Sequence, residues 1–378
     1  MVLSARQLNR STLARQLLDE RTPLPARDAL QQVLALQAQE PASPYVALWN
    51  RIADFDPAEL DRAFADRVVV KAPLMRITLH AVDVDDYHLL HEAATPVLRG
   101  ARLNDKRFRV TGMAIDDADG LIPGLVDFTS IPRSKDEIVA HLTAADARAG
   151  HKGAWWALRT YAPLWHSPAE PPWSFGRRPV FEAASIGDRP DRGAALARFV
   201  VRYLRAFGPA TPHDAAQFSL RRVSEVKAAL TGLDDEVTRT EGPDGVELFD
   251  VVDAPAIPDE DHAAPPRLLG MWDSVLLAYA DRRRIIPEPY RSHVIRRNGD
   301  TLPTVLVDGL VAGVWRVVEQ GVEVTPFEPL DPSTWSALEG EAVMLGRLLA
   351  ERDPLVYGRF RRWWDKLPSD GRRTLPIA

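Results

Sequence analysis

A glutamine stands where the sequence calls for an apolar residue, and a second follows it two residues on. The segment Leu30–Glu40 reads LQQVLALQAQE. Leu30, Val33 and Leu34 set up an apolar stripe at helical spacing, and its next slot holds Gln37. A buried amide must find hydrogen-bond partners, so Gln37 is either satisfied structurally, as a helix-capping group, or aimed into a cavity as part of a functional site. Gln39 lies two residues on, about 200° around a continuous helix, and would face the other way. The two amides converge only if the helix unwinds between them. Pro41 and Pro44 favour that, because residues ahead of a proline are pushed out of helical geometry. A converged pair of amides can hold a water and set a carbonyl dipole against a developing cation, weaker help than a carboxylate's charge.

Other chemistries are narrowed by composition. The 378-residue chain has no cysteine, which removes thiol nucleophiles, disulfides, cysteine-ligated zinc and iron–sulfur clusters. His80, His88 and His91 cluster without a zinc spacing, and His80 reads as a packing or phosphate-contacting residue. No metal and no cofactor is expected. Asp273, in Gly270-Met271-Trp272-Asp273, reads as a strand-end cap before it reads as a base. No apolar run reaches the ~18–20 residues of a membrane span, and the N-terminal stretch has no signal-peptide core, so a cytoplasmic location is expected. With no heptad or dimerisation helix in view, the chain is expected to be a monomer.

Charge is unevenly placed. The net charge is −6, but residues 233–261 hold eleven acids and one base, which leaves +4 on the remainder. Three segments are basic: Pro96–Val110, Asp281–Asp300 with six arginines against three acids, and Pro354–Ala378. Such runs are either solvated faces or the footprint of a phosphate-bearing partner. Asn298-Gly299 is a strong hairpin signal, and it puts Arg296 and Arg297 near a tip that could enter a minor groove or merely be solvated. Trp155, Trp156, Trp165, Trp173, Trp363 and Trp364 could stack on bases, but their apolar context favours the core.

The elements that must carry these residues read as follows. Ser4 caps a helix through Leu18, Pro25 opens one reaching about Gln37, and Ser43-Pro44 and Asp56-Pro57 start two more. Val68–Val70 and Met75–His80 look like paired strands, completing the layout of a winged helix-turn-helix. A capping box at Ser134-Lys135-Asp136-Glu137 opens a second helical unit. A third runs from Ala194 to Phe207, breaks at Gly208-Pro209, restarts under a Thr211 cap and continues over Ser224–Leu230. The period then switches to that of strands at Leu302–Val307, Gly313–Val318 and Val322–Pro326, before a helix over Pro332–Leu349. The expected class is α+β: winged helix-turn-helix units at 1–115, 116–185 and 186–265, then a β-rich region at 266–378.

Leu36-Gln37-Ala38-Gln39, followed by Tyr45, Leu48 and Trp49, resembles the Gln-hydrophobic-Gln motif of the AlkZ-type DNA glycosylases. Further matches are Met75-Arg76-Ile77-Thr78-Leu79-His80, Phe207-Gly208-Pro209-Ala210-Thr211, Asp281-Arg282-Arg283-Arg284-Ile285, Val307-Asp308-Gly309 and Gly313-Val314-Trp315-Arg316. The resemblance runs from about Leu3 to Leu349. A YcaQ-type branch carries Asp at the second polar place, so Gln39 resembles the azinomycin-resistance branch; the family's usual glycine is replaced here by Ile77. The resemblance implies tandem winged helices and a DNA glycosylase that acts on double-stranded DNA carrying alkylated purines and unhooks interstrand crosslinks. It also implies resistance to a DNA-alkylating antibiotic, with Gln37 and Gln39 as the catalytic residues. Arg76, His80, Arg296 and Arg297 are the candidate DNA contacts.

Two amides suit one kind of lesion. Alkylation at N7 gives a purine a full positive charge, so it departs neutral and needs no general acid. What remains is an acceptor near the oxocarbenium-like sugar and a water held for attack at C1′. The expected substrates are therefore cationic N7-alkylpurines and not neutral lesions such as uracil. Only six lysines accompany 41 arginines and none adjoins the glutamines, so direct hydrolysis without a Schiff-base step is expected. The rival from another class is a winged-helix transcriptional regulator that binds DNA without catalysis.

Overall fold

The computed structural model describes residues 2–169, 172–176, 178–184, 190–367 and 370–377, so the expected boundary at 185–186 lies outside the described residues. The chain mixes helices with four small sheets. Ser4 caps α1 (Ala5–Arg15) in a reciprocal box with Gln7, and the helix ends three residues before Leu18, with Leu17 at φ 54°. Helix α2 (Ala26–Val33) does not reach Gln37. Leu34, at φ 74°, turns the chain out of it, and Leu36–Gln37 form a short strand, β1.

The reason is alternation. On a strand Leu36 and Ala38 point to one side and Gln37 to the other, which buries the apolar pair without burying an amide among them. A helix continued through Gln37 could not do both. Helices α3 (Ser43–Trp49) and α4 (Pro57–Ala65) follow, the latter capped by Asp56 as expected. Then come β2 (Val69–Pro73) and β3 (Leu79–Asp83) in an antiparallel sheet of order β1-β3-β2. The register sets Gln37 and Ala72 opposite His80, and Leu36 and Lys71 opposite Ala81. One face, with Leu36, Ala38, Val69 and Ala81, joins a core shared with the C-terminal region. The other, with Val70, Ala72 and Val82, packs on the third helical unit.

The expected strand over Met75–His80 begins late. Met75–Ile77 is a tight turn, with Arg76 at φ 55° and Ile77 at φ 58°. A β-branched residue in the left-handed region costs about 1–3 kcal/mol, and glycine would enter it freely. The turn is held by Leu74 N to Thr78 O at 3.0 Å and Thr78 N to Met75 O at 3.2 Å.

A long helix, α5 (Val84–Leu103), which the sequence reading missed, carries Pro96 inside it and links this sheet to the second unit. That unit's core draws on Ala94 to Phe181 and includes the helix Lys135–Ala145, capped by Ser134 and Glu137 as expected. In the third unit, Arg192–Phe207, Pro212–Ser219 under its Thr211 cap, and Val223–Thr231 follow the expected breaks. The acidic stretch after it forms a hairpin, Val237–Glu241 with Glu247–Val251, that charge content did not announce. The last region is a five-stranded antiparallel sheet. In spatial order its strands are Arg373–Leu375, Gly321–Pro326, Leu310–Val318, Thr304–Val307 and Arg267–Leu269. Asp308 and Gly309 turn between two of its strands with φ 48° and 79°, the double positive φ that a tight hairpin demands. Trp315 is wholly buried beneath this sheet, its indole N–H donating to Leu269 O at 2.8 Å. Trp155, Trp165, Trp173 and Trp364 are core residues as expected; Trp156 and Trp363 are half-exposed and stacked on cations.

Candidate catalytic site

Extended backbone carries Gln37, and the chain bends at Gln39. The β1–β3 ladder continues one step past Gln37, through Ala38 N to Leu79 O at 2.7 Å, before that bend. Ala38 joins the core, and Gln37 lies on the opposite side of the strand. The helix expected to unwind between the two amides ends at Val33, ahead of both. Gln37 is buried, with 4% of its surface exposed, while Gln39 is exposed.

Gln37 is clasped from the turn that carries Ile77. The Arg76 Nη2 donates to Gln37 Oε1 at 3.0 Å and approaches His80 Nε2 at 3.3 Å. His80 is fully buried, and its Nδ1 lies 3.1 Å from the Thr78 carbonyl. That carbonyl can only accept and a guanidinium can only donate, so the proton sits on Nδ1 and the ring is neutral. Burial and the adjacent Arg76 charge hold the His80 pKa well below its ordinary value, in keeping with that tautomer. Arg76 itself has no carboxylate among the described residues. Its guanidinium lies over Phe218, 4.5 Å from the ring centroid, and its Nη1 is buried without a partner. Burial, then the like charge of Arg282, bring its pKa down to about 9. It remains cationic at neutral pH, stabilised by the aromatic face and two uncharged acceptors.

Of the residues singled out by sequence, Gln37, Arg76 and His80 form one hydrogen-bonded group, and Gln39 follows Gln37 by two residues along the chain. Arg296 and Arg297 sit on a separate turn, where Ile295 bridges Thr301 and Gly299 takes φ 88°. Arg297 is exposed. Arg296 is not a free tip residue: it donates to Trp363 O at 3.0 Å and stacks on that indole. What sequence reasoning missed is the segment Gly358–Lys366, which ties this turn to the glutamines. Its Trp363 donates to Asp300 at 2.9 Å, and its Arg359 pairs with Glu40, next to Gln39. The basic run there was visible; its partner across 319 residues was not.

Lys71 is the lysine that the fold brings onto this sheet, and it points away from the site. It pairs in register with Ala81, on the face opposite Gln37, where its amine sits 4.4 Å from the Phe175 ring centroid. Burial lowers its pKa from 10.5 to about 7. The unfolded chain therefore binds a proton that the folded one refuses between those values, and stability should rise with pH across that window. Lys71→Met should flatten that rise in denaturant titrations between pH 7 and 10; an unchanged slope would show that the amine is not the source.

The chain matches the family model described as DNA glycosylase AlkZ-like over residues 30–348, a span that holds the glutamine strand, the Arg76 turn and the basic segment Asp281–Asp300. It is 28% identical over 377 residues to a Streptomyces sahachiroi protein named interstrand DNA cross-link repair glycosylase, covering 92% of this chain and 97% of that one. It also superposes on the solved structure of Streptomyces sahachiroi DNA glycosylase AlkZ with a TM-score of 0.79, at 26% identity and the same coverage. With the motif, the fold and the family model agreeing over most of its length, this chain belongs to the AlkZ-like DNA glycosylase family.

Proposed function

We propose that the protein is a monofunctional DNA glycosylase that hydrolyses the N-glycosidic bond of cationic N7-alkylpurines in duplex DNA. On this reading it unhooks interstrand crosslinks and so confers resistance to a DNA-alkylating antibiotic. The observation that carries the reading is Gln37 held through its carbonyl by Arg76, with Gln39 exposed two residues on and no carboxylate bonded to either among the described residues. A cationic base leaves as a neutral molecule, so the C1′–N9 electron pair needs no proton to depart with it. Two amide dipoles and a held water meet the remaining demand, and a neutral lesion would find no acid to help it leave. Direct hydrolysis accords with Lys71 lying across the sheet. The three units of helices with small sheets are read as tandem winged helices, acting as a metal-free monomer in the cytoplasm, at the nucleoid. Arg297 and the segment around Trp363 are read as duplex contacts, with Arg76 and His80 serving inside the site.

Duplex carrying a single N7-methylguanine, incubated with the protein and then treated with alkali, should be cut at the lesion, while a uracil duplex should stay intact. Tight binding with no base release would favour the non-catalytic regulator. A duplex with an N7–N7 guanine crosslink then tests unhooking, by the appearance of separated strands on a denaturing gel.

A further inference from the structure

We infer that Arg76 is a positioning residue that divides the labour between the two glutamines: it engages the Gln37 carbonyl, so that Gln37 presents its amide N–H to the departing purine, and leaves Gln39 to hold the attacking water. This rests on the proposed glycosylase reading and deepens it. The geometry is restrictive. A guanidinium is donor-only, so the atom it meets at 3.0 Å must be Gln37 Oε1, and the amide cannot be turned around without setting NH2 against N–H. The second hydrogen on the same Arg76 nitrogen is aimed at His80 Nε2, and His80 is in turn anchored to Thr78 O. Gln37, Arg76, His80 and Thr78 thus form a chain with one consistent direction of donation, mounted on paired strands and backed by Phe218. The Arg76–Gln37 bond is the only hydrogen bond of the Gln37 side chain among the described residues, so its Nε2 hydrogens are free for a ligand. Gln39 is exposed and makes no side-chain hydrogen bond among the described residues, so both ends of its amide remain available.

The assignment fits the movement of charge. As C1′–N9 breaks, its electron pair passes to the cationic purine, whose ring nitrogens become better acceptors, and an N–H aimed at that edge gains strength in the transition state. The water oxygen bonds to C1′, its proton leaves to solvent, and the products are a hydroxylated sugar and a neutral base. An acceptor at Gln37 would gain nothing from this change on the base, whereas a donor does.

Isosteric variants separate the roles. Gln37→Glu keeps the acceptor that Arg76 holds, and adds an opposite charge to it, while removing the outward N–H. Gln39→Glu keeps an acceptor for water. Single-turnover release from N7-methylguanine duplex is expected to fall by about 100-fold in Gln37→Glu and by less than about 10-fold in Gln39→Glu, with duplex Kd unchanged in both. Arg76→Lys, which still donates, should recover most of the rate that Arg76→Met loses. Release by Gln37→Glu at the wild-type rate would overturn the donor assignment. A loss in Gln37→Ala with no loss in Gln37→Glu overturns it too and leaves the glycosylase reading standing. Wild-type rates in both alanine variants would sink the glycosylase chemistry itself, a distinct result.

Discussion

Gln37→Ala and Gln39→Ala are each expected to slow base release by about 100-fold or more while duplex affinity shifts by less than about twofold. Neither amide carries charge, so neither contributes the phosphate attraction that dominates affinity for duplex. Gln37 also has little surface to offer a groove, at 4% exposure. The loss should therefore fall on the chemical step. The fold should tolerate both changes. Gln39 is exposed, and Gln37 shares one hydrogen bond, so its removal leaves Arg76 with His80 and the Phe218 face. Single-turnover excision with a parallel binding titration checks this. Normal excision by both variants would mean that the reacting groups lie elsewhere.

Asp273→Ala should destabilise the protein by about 3–5 kcal/mol. The Asp273 carboxylate is fully buried against the fully buried Arg51, with both of its oxygens 2.8 Å from the guanidinium, and it also accepts from Val275 N at 3.2 Å as the cap of the turn Ser274–Leu276. Removing it strands a cation in the core that the N-terminal helices share with the C-terminal sheet. Among the described residues Arg51 would retain only the Ala47 carbonyl, at 2.9 Å. Urea unfolding followed by tryptophan fluorescence measures the loss; a change below about 1 kcal/mol would show that water reaches the stranded guanidinium. This residue reads from sequence as a strand-end cap before a base; the structure makes it instead the cap of the turn Ser274–Leu276, together with an ion pair that no local pattern foretold.

Much that is local was legible. Ser4, Ser134 and Thr211 cap the helices they were expected to cap, since a short oxygen-bearing side chain meets its target N–H within the same turn. Asp308-Gly309 forms a tight turn whose double positive φ is a property of those two residues. Gln37 stands out by its misfit to an apolar stripe, and that needs only counting.

Tertiary structure alone decided what the misfit means. The helical stripe ahead of Gln37 is real but ends at Val33, because pairing with Leu79–Asp83, some forty residues on, rewards extended backbone more than another helical turn would. Strand geometry sets Gln37 on the face opposite Leu36 and Ala38, away from the apolar pair on either side of it. The approach of Arg76 to Gln37 across 39 residues, and of Arg359 to Glu40 across 319, leaves no trace in composition or spacing. A residue's type states which bonds it can make; which partner it meets is settled by the packing of distant segments, and in this protein that packing determines which end of the Gln37 amide is free.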